Sequence, residues 1–448
     1  MKSNQLTLDN FDGSEDGLLC IRGALGLGDR WVVTGVYMKR GNDVYPVNDE
    51  NPDCPFIFAD SPKELEDLDY GTATIHIESR RKCGYLCPCC GSSCKVHQYE
   101  RRPLRHVSFL NMECYLDVKV PKLHCEKCGK YVQLPFPLAD PRVSYTKTFA
   151  SAVLTRLYRD TVTATARALK VGRHVVSEIL HKYISKMMEN LDLSNVSKIY
   201  IDEIQFGHGQ NYITVVSDQT KRVVFMCKDH DADTLRQFKE WLIGHGGDPN
   251  DIVAVSADMS RAYESGVTEH FPNADIIFDR FHMVKSVNEA VDKVRKRTMR
   301  KLSDEDKSAV GKAKYTVLYR ERNHNEKHEE RMMNIRIFNP ELALAFDMKE
   351  GFCDILESKT KSQAKMKFEE WYHNVILYGA KEMKAKAEMF RSKLERILCW
   401  YDHKISNGFA EGLNARLQKA KSAAFGFRKI ENFIGLCFFR FGNLPVSI

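Results

Sequence analysis

Two aspartates lie at the ends of apolar segments whose pattern predicts buried β-strands. Asp202 lies in the segment IYIDE, and Asp258 ends the segment VAVSAD. A carboxylate on a buried strand is energetically costly unless it has a partner, so both positions indicate a chemical role. If the two strands are neighbours, we expect the two carboxylates to converge at one edge of a sheet.

A third acid, Glu411, lies in the segment SNGFAEGLN, where the pattern predicts the start of a helix. Three carboxylates around one point supply the hard oxygen ligands that Mg²⁺ or Mn²⁺ requires. Two such ions, about 3.5–4 Å apart, activate the attacking oxygen and stabilise the departing one in an in-line displacement at a phosphodiester. Singly, each acid could equally cap a helix or form a surface ion pair. Together they predict that Asp202, Asp258 and Glu411 bind two ions and catalyse cleavage by water or joining by a 3′-hydroxyl.

Another acid and an imidazole follow a third predicted strand, over residues 275–278. Asp279 and His282 lie in the segment FDRFH, which the strand pattern brings near the same sheet edge. They are candidates for supporting the metal site or positioning DNA. A structural hydrogen bond is an equally good interpretation.

Four cysteines form two pairs with the spacing of metal-binding knuckles. Cys87 and Cys90 precede a glycine, as do Cys125 and Cys128. Glycine allows the positive φ of a tight turn, and four thiolates in tetrahedral geometry suit a structural Zn²⁺. The same region also contains Cys83, Cys89, Cys94, His97 and His124, so the ligand set stays open, with Cys89 as the misfit. Cys-x-x-Cys pairs among fourteen cysteines favour metal binding over disulfides and predict an intracellular protein.

Two short helical patterns, over residues 163–170 and 174–184, are joined by Val-Gly-Arg, which is typical of a helix-turn-helix. The second helix would enter the major groove of DNA. Its donors for base edges or phosphates are Arg173, His174, Ser177 and Lys182. A plain helical hairpin has the same spacing, and the position between the cysteine module and the acidic sheet favours DNA binding.

The charge of +7 is unevenly distributed. Residues 1–70 carry 6 Lys/Arg and 14 Asp/Glu, a net charge of −8, which leaves +15 on the rest of the chain. A basic surplus favours nucleic acid as the partner, although anionic membranes attract by the same force. Further candidates for phosphate binding are Lys293, Arg295, Lys296, Arg297, Arg416 and Lys419.

Neither a run of eighteen apolar residues nor a secretory signal is present. We therefore expect a cytoplasmic, nucleoid-associated protein with no membrane partner. The glycine-rich residues 23–28 match no common nucleotide-binding fingerprint, and we expect no small-molecule cofactor.

The order of these motifs resembles that of the ISL-three family of insertion-sequence transposases. The resemblance extends from about Cys87 to Phe441 and rests on the segments CPCCG, IDE, DMSRAY, FDRFH, NGFAEGLN and GFR. It implies an RNase H-like catalytic domain with Asp202, Asp258 and Glu411 as the metal-binding triad. It also implies a helical insertion before Glu411, and the terminal inverted repeats of a mobile element as substrate.

The predicted fold is multidomain α+β: a β-rich zinc ribbon, a helix-turn-helix, then an RNase H-like α/β core interrupted by an all-α insertion. The predicted boundaries are an acidic segment of unassigned role at 1–70, the zinc ribbon at 71–140, the helix-turn-helix region at 141–195, the first part of the core at 196–300, the insertion at 301–400 and the last part of the core at 401–448.

These features predict a DNA transposase that binds element ends and joins them to target DNA. A homo-oligomer is expected, because two ends must be held together. Two alternatives stay open: a catalytically silent DNA-binding regulator derived from a transposase, and a metal-dependent nuclease that does not join strands.

Overall fold

A computed structural model describes residues 15–40, 43–46, 71–80, 84–109, 111–206, 212–228, 233–405, 408–423 and 430–444. Side chains are described throughout these ranges except at 15–17, 40, 43–46 and 408–411. The chain forms two compact units, one within residues 1–183 and one within residues 184–445. Within the described ranges, no helix is both long enough and apolar enough to cross a membrane.

The first unit is built on a strand-rich region that follows helix α1 (Glu15–Ala24). The strands of its sheet have the order β2-β1-β3-β6-β5-β4, with β7 beside β6. Buried and partly exposed residues alternate along β3 and β6, which confirms the strands predicted around the cysteines. The strands are β1 (Trp31–Arg40), β2 (Asp43–Pro46), β3 (Thr72–Ser79), β4 (Tyr85–Leu86), β5 (Ser93–Phe109), β6 (Met112–His124) and β7 (Tyr131–Gln133).

Three helices follow the sheet: α2 (Lys147–Leu157), α3 (Val162–Ala168) and α4 (Arg173–Glu189). The side chain of Thr161 accepts a hydrogen bond from the backbone N–H of Ala164 and so caps α3. Lys170, in the corner between α3 and α4, has a φ of 51°. Both predicted helical patterns are therefore confirmed as helices joined by a short corner.

The second unit contains a five-stranded sheet with the order β10-β9-β8-β11-β12. Its strands are β8 (Lys198–Gln205), β9 (Tyr212–Asp218), β10 (Val223–Lys228), β11 (Ala254–Ala257) and β12 (Asp275–Phe278). The first three strands form an antiparallel meander, whereas β11 is parallel to both β8 and β12. Helices α5 (Asp233–Gly244) and α6 (Arg261–His270) connect the later strands. This mixed sheet with interleaved helices confirms the α/β character predicted for this part of the chain.

A helical region follows β12, and its described residues, 280–405, contain no strand. This confirms the predicted helical character of the segment before Glu411. The helices are α7 (Arg280–Met299), α8 (Asp304–Val310), α9 (Ala313–Leu318), α10 (Glu326–Phe338), α11 (Pro340–Leu356), α12 (Lys361–Tyr378), α13 (Lys381–Ser392), α14 (Leu394–Leu398) and α15 (Trp400–His403), and the chain ends in α16 (Gly408–Ala423) and α17 (Ile430–Phe441).

Asn339 connects two helices of this region. Its side-chain oxygen accepts a hydrogen bond from the backbone N–H of Leu342 and caps α11, and its amide donates to Thr298 Oγ1 on α7 at 2.9 Å. The residue is buried, so loss of its side chain leaves polar groups without partners. We expect Asn339→Ala to lower the free energy of unfolding by about 1–3 kcal/mol, measured by urea denaturation.

The matched control is Asn325→Ala. Asn325 caps α10 in the same way, through the N–H of His328, but it is exposed. This substitution should cost only about 1 kcal/mol. Equal losses for the two variants would contradict a tertiary role for Asn339.

Candidate active site and zinc-ribbon cluster

Three aspartates lie in one row across adjacent parallel strands of the second unit. Tyr200 of β8 is paired with Ser256 of β11, which places Asp202 and Asp258 two residues further along in the same register. Ala257 of β11 is paired with Phe278 of β12, so Asp279 follows in the same row. The parallel register thus brings acids from three separate segments to the carboxyl edge of one sheet.

Asp202 is partly buried and held by two hydrogen bonds. Its Oδ1 accepts from the backbone N–H of Glu203 at 2.8 Å, and its Oδ2 accepts from the side-chain amide of Asn414 at 2.5 Å. Burial raises the pKa of this carboxyl group to about 6, and the nearby carboxylates of Asp279 and Glu203 act in the same direction. A positive charge close to this carboxyl group would lower its pKa and favour the ionised form.

The imidazole of His282 lies between the other two aspartates. Its Nδ1 is 3.5 Å from Asp258 Oδ2, and its Nε2 is 3.6 Å from Asp279 Oδ2. Asp279 is buried and caps α7 by accepting from the N–H of Phe281 at 2.8 Å. The side chain of Asp258 is 50% exposed, whereas that of Asp279 is 5% exposed. The imidazole therefore lies between an accessible acid and a buried one.

Glu411 lies on α16, and its side chain is outside the part of the chain that the structure describes. Asn414 lies on the same helix, three residues further on, and its amide contacts Asp202. Helix α16 therefore reaches the acidic edge, and the place of the Glu411 carboxylate stays a prediction.

Two contributors to this edge were not singled out from the sequence. Besides Asn414, Tyr263 of α6 donates a hydrogen bond to Glu203 Oε1 at 2.7 Å and lies 3.5 Å from Thr214 Oγ1. Both residues belong to segments quoted above, NGFAEGLN and DMSRAY. Nothing in their spacing indicates a partner on β8, because the contacts depend on how the helices pack.

The sulfur atoms of Cys87, Cys90, Cys125 and Cys128 all lie within 4.8 Å of one another. Two pairs, Cys87 with Cys128 and Cys90 with Cys125, are separated by 3.7 and 3.5 Å. A tetrahedral zinc with Zn–S bonds of about 2.3 Å requires sulfurs about 3.8 Å apart, so the cluster fits Zn²⁺.

The knuckle backbone also matches its predicted geometry. Gly91 and Gly129 have φ values of 69° and 67°, which glycine adopts without steric cost. The backbone N–H of Cys89 points at Cys87 Sγ at 3.4 Å and lowers the pKa of that thiol to about 6. A lowered pKa favours the thiolate that a metal binds.

Among the described residues, the other candidate ligands of the ribbon do not belong to this group of four sulfurs, although the thiol of Cys94 interacts with those of Cys125 and Cys87. Cys89 is exposed, whereas Cys94 is buried and its thiol has a pKa raised to about 12, chiefly by burial. His97 and His124 both pack against the ring of Tyr131. Cys83 lies outside the described residues.

The residues predicted to contact DNA from the helix-turn-helix differ in exposure. Arg173 and His174 are exposed at the start of α4, and Ser177 is half-buried one turn later. Lys182 is also half-buried, and its Nζ lies 2.6 Å from Asp140 Oδ2. Lys182 thus has an internal partner, and its contact with DNA stays a prediction.

Three of the four residues of α7 that were predicted to bind phosphate are engaged with acids of this chain. Asp292 binds both Arg295 and Lys296. Arg297 binds Glu341 on α11 and Glu382 on α13, so it connects three helices of the helical region. The remaining candidates have other surroundings: Lys293 and Lys419 are exposed, and the guanidinium of Arg416 lies 5.4 Å from the ring centroid of Phe441.

Comparison with known proteins defines the class. A family model described as transposase (DDE_Tnp_ISL3) matches residues 199–436, which include the acidic edge. A second model, zinc-finger of transposase IS204/IS1001/IS1096/IS1165, matches residues 85–128, which include all four clustered cysteines. The molecule is therefore of the insertion-sequence transposase class.

Curated relatives agree with this class. The chain is 27% identical over 369 residues to the transposase for insertion sequence element IS1001 of Bordetella parapertussis, covering 81% of this chain and 90% of that protein. It is 25% identical over 387 residues to the transposase for insertion sequence element IS1557 of Mycobacterium tuberculosis, covering 80% and 84%. The chain belongs to the ISL3 family of transposases, which confirms the resemblance seen in its motifs. Membership implies an enzyme that cleaves and transfers nucleic acid.

The cysteine cluster yields a direct test of its ligands. We expect Cys125→Ser to lose the bound zinc and lower the melting temperature of the protein, because metal binding in such modules supplies folding energy. Zinc content is measured by elemental analysis of the purified protein, and melting by calorimetry.

Cys89→Ser is the matched control, since Cys89 lies between Cys87 and Cys90 in the other knuckle but is not one of the four clustered cysteines. It should keep the zinc content of the wild type. Loss of zinc in Cys89→Ser together with its retention in Cys125→Ser would show that the ligand set is wrong.

Proposed function

We propose that this chain cleaves DNA at the terminal inverted repeats of its insertion sequence and transfers the 3′ ends to target DNA. The observation that carries the proposal is the row of Asp202, Asp258 and Asp279 across β8, β11 and β12, which α16 contacts through Asn414. The match to the transposase family spans all of these residues.

An RNase H-like core is supported by the strand order β10-β9-β8-β11-β12, with an antiparallel meander followed by two strands parallel to the first. In this arrangement the acidic edge belongs to the central strand and its parallel neighbours. The helical region then interrupts the core between β12 and α16, as the family resemblance implies.

Asp202, Asp258 and Glu411 would hold two Mg²⁺ or Mn²⁺ ions. Carboxylate oxygens are the donors that these hard ions prefer, and a cation beside Asp202 would favour the ionised form of this partly buried carboxyl group. When bound, a pair of ions supplies an activated oxygen nucleophile and stabilises the leaving oxygen.

The protein's own contribution is to fix the carboxylates. Asn414 and the N–H of Glu203 hold both oxygens of Asp202. His282 lies between Asp258 and Asp279, and Asp279 is itself fixed as the cap of α7. Such outer contacts preserve the geometry that metal-dependent catalysis requires.

Recognition of the element ends is assigned to the first unit. Arg173, His174 and Ser177 lie in the first turns of α4. The first turns of a recognition helix are the part that contacts base edges. We place Lys293, Lys419 and Arg416 of the second unit on the DNA backbone. The assembly proposed is a homo-oligomer associated with the nucleoid, because two element ends must be held together.

Cleavage of a supercoiled plasmid carrying the element's own ends tests the triad. With Mg²⁺ or Mn²⁺, the wild type should cut at the ends and form joined products. Asp202→Asn, Asp258→Asn and Glu411→Gln should each reduce cleavage below detection while leaving end binding intact, because each removes one charged metal ligand. Asp251→Asn is the matched control and should cut normally, since Asp251 is exposed near the opposite end of β11.

Three results would count against the proposal. Normal cutting by any of the three variants would remove that acid from the triad. A wild type that binds ends without ever cutting would favour the silent regulator, and cutting without joined products would favour a nuclease.

Binding to a duplex with the element end tests the recognition helix. The double substitution Arg173→Ala, His174→Ala should reduce the preference for the end over random DNA, because each side chain that reads a base edge contributes about 1–3 kcal/mol of discrimination. Lys182→Ala should have a smaller effect, because Lys182 is bonded to Asp140. Measurement is by fluorescence anisotropy, and an unchanged preference in the double variant would place recognition elsewhere.

A further inference from the structure

A groove rich in basic residues lies between α6 and the helices α12 to α14 of the second unit. Its volume is about 620 Å³. A second cavity of about 420 Å³ continues along α6 and shares three lining residues with it. We call this the basic groove; its charged lining residues are Arg261, Glu264, Lys365, Glu369, Arg391, Lys393, Glu395 and Arg396.

The basic groove is connected directly to the acidic edge. Arg261, the first residue of α6, follows Asp258 by three positions. From the opposite wall, Lys393 Nζ lies 3.3 Å from the backbone carbonyl of Met259, the residue next to Asp258. A polymer held at Asp258 would therefore have its next units beside these cations.

The charges of the groove leave a positive excess. Each acid is already paired: Glu264 with Lys393 and Arg396, Glu369 with Arg391, and Glu395 with Lys365. In the main cavity the five cations outnumber the three acids, and the continuation along α6 adds one further acid, Glu269. Arg261 is exposed, and among the described residues the structure gives its guanidinium no ionic partner.

We propose that the basic groove binds the phosphodiester backbone of DNA next to the scissile phosphate, with Arg261 as the principal contact. This rests on the proposed function for the identity of the polymer. A guanidinium donates two parallel hydrogen bonds to a phosphate. Glu264 already holds Lys393 and Arg396 in place, so the wall opposite Arg261 is fixed before DNA arrives.

The test is the salt dependence of DNA binding by the full-length protein, measured by anisotropy with no divalent ion added. Each phosphate contact contributes about 0.9 to the slope of log K against log salt. We expect Arg261→Gln to weaken binding several-fold at low salt and to make the slope shallower by about 1, equally for end-containing and random DNA.

Two further variants make the result specific. Arg261→Lys keeps the charge and should keep the slope. Lys327→Gln removes an exposed charge on α10, away from the lining of the basic groove, and should leave both affinity and slope unchanged. Melting temperatures equal to that of the wild type ensure that the comparison is made on folded protein.

A slope for Arg261→Gln equal to that of the wild type would overturn the proposal, as would an equal change in Lys327→Gln. Plasmid cleavage by the wild type is recorded in parallel. Normal cleavage with an unchanged slope refutes the groove and leaves the proposed function standing. A shallower slope in a protein that never cuts supports the groove and refutes the catalytic function.

Discussion

The parallel pairing of β8 with β11 and of β11 with β12 is the constraint on which the rest of the second unit depends. β11 is buried along its whole length, and β12 is buried apart from its first residue, so Asp258 and Asp279 directly follow buried strands. The parallel register aligns Asp202, which lies within β8, with Asp258 and Asp279, which directly follow β11 and β12, although the three are distant in sequence. Burial raises the pKa of Asp202, and the nearby carboxylates of Asp279 and Glu203 raise it to a smaller extent.

The helical region matters because the chain must return to this edge. Ile405, just before α16, packs against Ala254 of β11 and Ile277 of β12. At the start of the helical region, the Arg280 guanidinium lies 3.3 Å from the ring centroid of Trp400. These contacts hold the first residue of the helical region, Arg280, close to its last residues. Helix α16 therefore starts beside the sheet, and Asn414 reaches Asp202.

Features that depend on local pattern were predictable from the sequence. Apolar runs indicated the strands, glycine-flanked Cys-x-x-Cys pairs indicated the cysteine cluster, and the motif order indicated the family. Features that depend on long-range packing were not. Lys182 is paired with Asp140, and Arg297 is paired with Glu341 and Glu382. The spacing of the basic residues, from which phosphate contacts were predicted, does not indicate these acidic partners. The contact of Asn414 with Asp202 could not be predicted either, because it depends on how α16 packs.

The most direct test of the acidic edge is a calorimetric titration of Mn²⁺ into zinc-loaded protein without DNA, for the wild type, Asp202→Asn and Asp258→Asn. If these carboxylates form the metal site, the wild type binds Mn²⁺, and each variant binds it much more weakly at an unchanged zinc content. Equal Mn²⁺ affinity in all three proteins would contradict the account, because the row of aspartates would then have another purpose.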